Sequence, residues 1–272
     1  VFDYILMFPL GLAMKGAALA TGFSPVVGIL ICCIHFFSRK STIKLIPVLP
    51  SIKKLIYSCQ VGVSAFVGEI SSGVITVTFN MIILNLAGNT GVAAYGVVAN
   101  TSLVAVALFN GIAQGSQPLI SRSYGRGEEQ NVRSLLKMSL TTALGLGVLL
   151  MIFIFFSAPS VTAVFNSEHD LQLAAYADSG LRLYFIGFLF AGINIVGTAA
   201  LSAVESVKYA FCASISRGFV ATIFFAFVLS ACFKMTGIWL AFPAAEFATM
   251  FITLSGLLCF TKQKGGMYHA KD

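Results

Sequence analysis

The chain has 272 residues, of which 58% are apolar and only 10% charged, and its net charge is +7. A soluble domain carries about 25% charged residues, so a chain with a mean hydropathy of +0.92 has too little polar surface to cover a globule in water. The length divides instead into about eight membrane-crossing segments of about 20 apolar residues each with their loops, and the basic residues, clustered between apolar runs, exclude a nucleic-acid footprint.

Taken in chain order, residues 1–12 read as a partial span and 16–37 as a full one. The start at Val1, inside an apolar run, lacks the basic region and cleavage site of a signal peptide; the expectation is a chain cut short at its front. A polar linker over 39–54 carries Pro47 and Pro50. Further spans are expected over 55–86, 91–120, 134–156, 171–204, 209–233 and 237–260, before a polar tail at 261–272. These runs are too long and too uniformly apolar for barrel strands. The fold class expected is therefore all-α, a polytopic transmembrane helical bundle with seven full spans and one partial.

Lysine and arginine set the orientation. Fourteen of the seventeen fall on alternate loops, in the linker, around 122–137, near Lys208 and Arg217, and in the tail; Lys15, Arg182 and Lys234 are left for the other side. That asymmetry places the linker, the 121–132 loop and the C-terminus in the cytoplasm, with the protein multi-pass in the plasma (inner) membrane. The six cysteines, Cys32, Cys33, Cys59, Cys212, Cys232 and Cys259, form no CxxC pair or metal-spaced cluster, and read as small buried hydrophobes. A weak internal repeat, Met14-Lys15-Gly16 with Leu19-Ala20 against Met235-Thr236-Gly237 with Leu240-Ala241, relates the first helix pair to the last.

Polar residues inside apolar spans carry the functional signal, because a charge at bilayer depth costs about 2.5–3.5 kcal/mol on insertion scales. Glu69 lies midway along its span, and Ser72, Thr76 and Asn80 follow at helical spacing on one stripe. Such a stripe can line a water-filled pathway, with the carboxylate binding a proton or Na⁺, or it can be a hydrogen-bonded seam between helices. Asn100, Asn110, Gln114 and Gln117 share a face of the next span, beside a Gly111/Gly115 pair that would let a neighbouring backbone approach. Asp178 and Arg182 have the spacing of an ion pair. Asn194, Thr198 and Ser202 form a deeper stripe ending at Glu205. Glu246 sits mid-span after Pro243, with Thr249 and Thr253 on its face; a polar spot in the membrane and a structural kink both fit. Asp3 lies in the partial span. Tyr124-Gly125-Arg126-Gly127 lacks the Lys-Ser/Thr of a phosphate loop. No catalytic or metal constellation is present in the sequence, so neither an enzyme nor a cofactor is expected.

The runs Gly91-Val92-Ala93-Ala94-Tyr95-Gly96, Gly111-Ile112-Ala113-Gln114-Gly115-Ser116-Gln117-Pro118-Leu119-Ile120 and Tyr124-Gly125-Arg126-Gly127 resemble the second half of the multidrug and toxic compound extrusion (MATE) transporters. Asp3 and Gly16-Ala17-Ala18-Leu19-Ala20-Thr21 resemble the fifth and sixth helices of that family. The similarity runs along nearly the whole chain and is greatest to bacterial members resembling staphylococcal multidrug exporters.

The resemblance implies the C-terminal part of a two-lobed, inverted-V exporter of twelve helices. Residues 1–38 would be the last helix pair of the N-terminal lobe, 39–54 the cytoplasmic inter-lobe linker, 55–260 the six-helix C-terminal lobe and 261–272 a cytoplasmic tail; helices 1–4 would be missing. Export of amphipathic cationic compounds, coupled to inward Na⁺ or H⁺, is the implied activity, with the bilayer and small-molecule substrates as partners. Glu69 falls where many members carry a coupling carboxylate, leaving a possible Na⁺ near it, and Asp3 matches a residue linked to cation binding in some branches. Asn194 stands where several members have aspartate, a departure that weakens a two-carboxylate Na⁺ site. A lipid-linked saccharide flippase of the same superfamily and a non-transport polytopic membrane protein are the alternatives.

Overall fold

The computed structural model describes residues 5–6, 13–36, 51–166 and 169–268. It divides into two compact units, Val1–Ser51 and Ile52–Asp272. In the first unit the described element is α1, Ala13–Phe36, with Pro25 inside it.

The second unit is built from six further helices. They are α2 (Ile52–Gly125), α3 (Glu129–Phe165), α4 (Leu171–Tyr184), α5 (Phe188–Ala203), α6 (Val207–Ile215) and α7 (Ala221–Tyr268). A short 3₁₀ turn over Phe185–Gly187 joins α4 to α5, and a π-helical segment over Ser216–Val220 joins α6 to α7. Among the described residues there is no strand.

Two of these helices are bent back on themselves. Gly88 adopts φ 64° and ψ −157° inside α2, a backbone state that favours glycine because it lacks a Cβ. The Phe79 and Tyr95 rings on either side lie 5.5 Å apart, whereas a straight helix would separate them by about 24 Å. Lys234, with φ 51° and ψ −129°, does the same in α7. Gly237 meets the Leu229 backbone so closely that a Cβ has no room.

Four continuous helical stretches are long and apolar enough to cross a membrane, Ile70–Gly125, Glu129–Phe165, Leu171–Ala203 and Val207–Phe260. Seven full spans were expected. The counts differ because the expected pairs 55–86/91–120 and 209–233/237–260 each run on as one stretch through the reversal at Gly88 or Lys234, and because none of the four covers the expected span 16–37, whose apolar part is the shorter Pro25–Ile34.

The packing is that of a protein sorted against lipid. Large apolar side chains point outward: Val164 is 79% exposed and Phe156 77%, with Phe66 and Phe224 exposed to lesser degrees. Between lipid-facing helices apolar burial supplies little drive, so close backbone approach and van der Waals contact take over. Gly147 of α3 shows this, since a Cβ there would lie 2.9 Å from the Phe188 carbonyl oxygen of α5. Around that contact a core gathers Phe79, Phe109, Leu181, Phe185, Phe188 and Trp239. The Phe109 and Phe188 rings stack at 6.1 Å and 6°. A second cluster, with Ile120, Leu136, Leu201, Ala210 and Leu257, fills the end of the unit near the 121–132 loop.

The cysteines run against expectation. All six are free and exposed rather than buried. Gly111 and Gly115 face open space within the described chain and make no close helix contact there.

Candidate functional site

The deepest polar cluster forms where α5, the π segment and the second half of α7 meet. Glu246 of α7 is 2% exposed, and its Oε1 accepts a hydrogen bond from Arg217 Nε at 2.5 Å. Asn194 of α5, fully buried, donates through Nδ2 to Glu246 Oε2 at 2.7 Å and to the Glu246 backbone carbonyl at 2.8 Å. Thr253 donates to Asn194 Oδ1 at 2.9 Å. Ser216 and Thr249 close the cluster with a hydroxyl contact of 3.2 Å. Both oxygens of the carboxylate are thus satisfied and its charge is neutralised, as burial at this depth demands.

Local backbone chemistry puts Arg217 there. The π segment widens the helix by one residue, a distortion common at functional positions, and Thr222 secures it by donating to the Arg217 carbonyl oxygen. The next residue, Gly218, is pressed against Ser71 of α2, leaving no space for a Cβ. The arginine side chain remains 31% exposed. Arg217, expected beyond Lys208 and near a span interior, lies inside the helical unit and points at a buried carboxylate. Its partner lies 29 residues away, beyond any local spacing rule.

Other expected residues separate into those brought together and those left apart. Asn194 and Glu246, read from different spans, join directly. Ser72 and Thr76 are exposed, with Thr76 donating to the Ser72 carbonyl oxygen of its own helix, and Asn80 is half-buried. Glu69 lies in α2, but its side chain is outside the described residues, as is the whole of Asp3. Asn100 is exposed and donates to the Gly96 carbonyl oxygen, while Asn110 and Gln114 are exposed.

The pairing of Asp178 with Arg182 does not occur. Asp178 accepts from Thr162 of α3, and the Arg182 guanidinium sits 5.3 Å from the centre of the Phe155 ring, a cation–π arrangement. Neighbouring α3 offers both residues a better partner than they offer each other.

A second polar place lies at the end of the unit. A cavity of about 550 Å³ is lined by Tyr57, Ser58, Gln117, Ser121, Ser202 and Glu205, among others. It gathers Gln117 and the Ser202–Glu205 end of the stripe that began at Asn194. No group of three or more His, Cys, Asp or Glu side chains suited to a metal occurs among the described residues.

Together these features define a multi-pass membrane protein whose helical unit encloses a neutralised charge cluster. Residues 65–228 match the family model MatE, and the chain belongs to the MatE family. Among its relatives, the multidrug export protein MepA of Staphylococcus saprophyticus is 27% identical over 248 residues, covering 90% of this chain and 54% of MepA. The chain therefore spans about half the length of the curated relatives it matches.

Its fold is also that of a multidrug resistance MATE family transporter of the MOP superfamily solved in an outward-facing conformation. That match has a TM-score of 0.88 at 20% identity, covering 97% of this chain and 60% of that one. A MOP superfamily transporter from Pyrococcus furiosus, described as having a binding pocket of reverse polarity that suggests a different function, matches with a TM-score of 0.83 at 19% identity, covering 96% and 59%.

Proposed function

We propose that the chain is the C-terminal part of a secondary active exporter that moves amphipathic cationic compounds outward in exchange for Na⁺ or H⁺. On this reading 1–38 close an N-terminal lobe whose helices 1–4 lie outside this sequence, 39–54 bridge the lobes on the cytoplasmic side, and 55–260 form the C-terminal lobe. The family match and relatives named as multidrug export proteins support the class. The observation that carries the residue assignment is the Arg217–Glu246 pair. It commits one membrane-depth carboxylate of this lobe to a resident cation, which favours Glu69, at the head of the Ser72–Thr76–Asn80 stripe, as the coupling group. Gln114 and Gln117 could line a path but not couple it, since amides do not titrate.

An anionic lipid-linked cargo is the less favoured reading. The two arginines inside spans are already engaged, Arg217 by Glu246 and Arg182 by the Phe155 ring, so neither presents an open cationic wall.

The test is gradient-driven ethidium efflux from the whole transporter in a drug-sensitive host, with imposed Na⁺ or H⁺ gradients. The expected result is efflux by the parent and its loss in Glu69→Gln. Unchanged efflux in the variant would remove Glu69 from coupling, and absence of efflux in the parent would remove the export reading.

A further inference from the structure

Glu205 breaks two local rules at once. It follows α5 immediately after the cap residue Val204 and holds φ 59°, in the left-handed region. Glycine is the usual occupant of that position, since a Cβ there is crowded. A carboxylate also meets the negative end of the helix dipole at a C-terminus, where a cation is preferred. The turn itself is well made: the Ser206 amide donates to the Leu201 carbonyl oxygen at 2.9 Å. Nothing in the turn needs a glutamate.

The cavity gives the side chain a purpose. At about 550 Å³ it falls within the range of small-molecule sites. Its wall is formed by Glu205, Ser58, Ser121, Ser202, Gln117 and Tyr57 with Pro118 and Ala203, and among the described residues no Lys or Arg lines it. Tyr57 lines the same cavity as Glu205 and sets an aromatic ring in the wall that holds the carboxylate. Lys208, the nearest basic residue in sequence, is exposed and is not part of the wall.

We propose that this cavity is a binding site for a monovalent organic ammonium or iminium cation, held by Glu205 and the carbonyl end of α5 and flanked by the Tyr57 ring. A carboxylate, a helix C-terminus and an aromatic face each attract such a cation, and oxygen donors replace part of its hydration. The site lies at the end of the helical unit that carries the 121–132 loop, far along α5 from the Asn194 cluster. Its role as the first docking place of an exported compound rests on the export reading above. The binding itself does not.

Equilibrium binding without any ion gradient separates the two. Purified protein in lipid nanodiscs is titrated with the cationic dye rhodamine 6G, followed by fluorescence polarisation, with anionic sulforhodamine as counter-probe. Glu205→Gln is expected to weaken rhodamine 6G binding by about fivefold or more, the scale of one partly exposed ion pair. Glu129→Gln, which removes a carboxylate outside the cavity, is expected to leave it unchanged. Glu205→Gly suits the left-handed backbone and is expected to keep or raise thermal stability while losing affinity, so that loss of binding is not loss of fold. Equal affinity in wild type, Glu205→Gln and Glu205→Gly would overturn the proposal, as would equal binding of the anionic dye. Failure of gradient-driven efflux with cavity binding intact would count against the export reading alone.

Discussion

Glu246 and Glu205 belong to the same helical unit and live under opposite conditions. Glu246 is buried on α7, with Arg217 on one oxygen and Asn194 on the other. Glu205 is exposed at the end of α5, on a strained backbone, facing an open cavity. The difference follows from solvent. In the interior a lone carboxylate carries a desolvation penalty of several kcal/mol, so a buried charge comes with a counter-charge and full hydrogen bonding. At the end of the helices water supplies that compensation, and the carboxylate stays available for a ligand. In this unit a polar residue at depth therefore signals architecture as readily as function, whereas an acidic residue that violates its local backbone preferences points to a site.

Arg217→Met leaves Glu246 buried without a counter-charge and is expected to lower stability by about 3–5 kcal/mol, read as a fall in the thermal unfolding temperature in detergent. A smaller loss follows from Gly218→Leu. The new side chain has to displace Ser71 of α2, which shifts the π segment and with it the arginine, at a cost of about 1–3 kcal/mol. The smallest effect is expected from Thr253→Val, which removes the hydroxyl that holds Asn194 Oδ1; interhelical hydrogen bonds in membranes average about 0.6 kcal/mol. A Thr253→Val loss as large as that of Arg217→Met would mean that the hydrogen-bond chain, not the ion pair, holds the cluster.

Much of this was legible in the sequence, and the failures share a cause. Apolar runs located the helices, and the polar breaks after Leu86 and Phe233 fall beside the reversals at Gly88 and Lys234, because glycine and charged residues interrupt an apolar helix. Helical spacing put Thr249 and Thr253 on the Glu246 face, where they are found. Spacing within one helix misled at Asp178 and Arg182, since Thr162 and Phe155 on α3 are nearer partners. The same blindness to other helices hid the role of Arg217, whose position depends on a π segment that no periodicity announces. Glu205 was visible as the end of a stripe, but its left-handed backbone and the cavity before it emerge only when α2 and α5 come together.

A double-mutant cycle on Arg217 and Glu246 tests most directly whether Glu246 is committed to a resident cation. Stability is measured for wild type, Arg217→Met, Glu246→Leu and the double variant. Each single change is expected to be strongly destabilising, the double variant to regain most of the loss, and the coupling energy to be about 2 kcal/mol or more, within the range for contacting residues. Additive losses, with coupling near zero, would contradict that commitment.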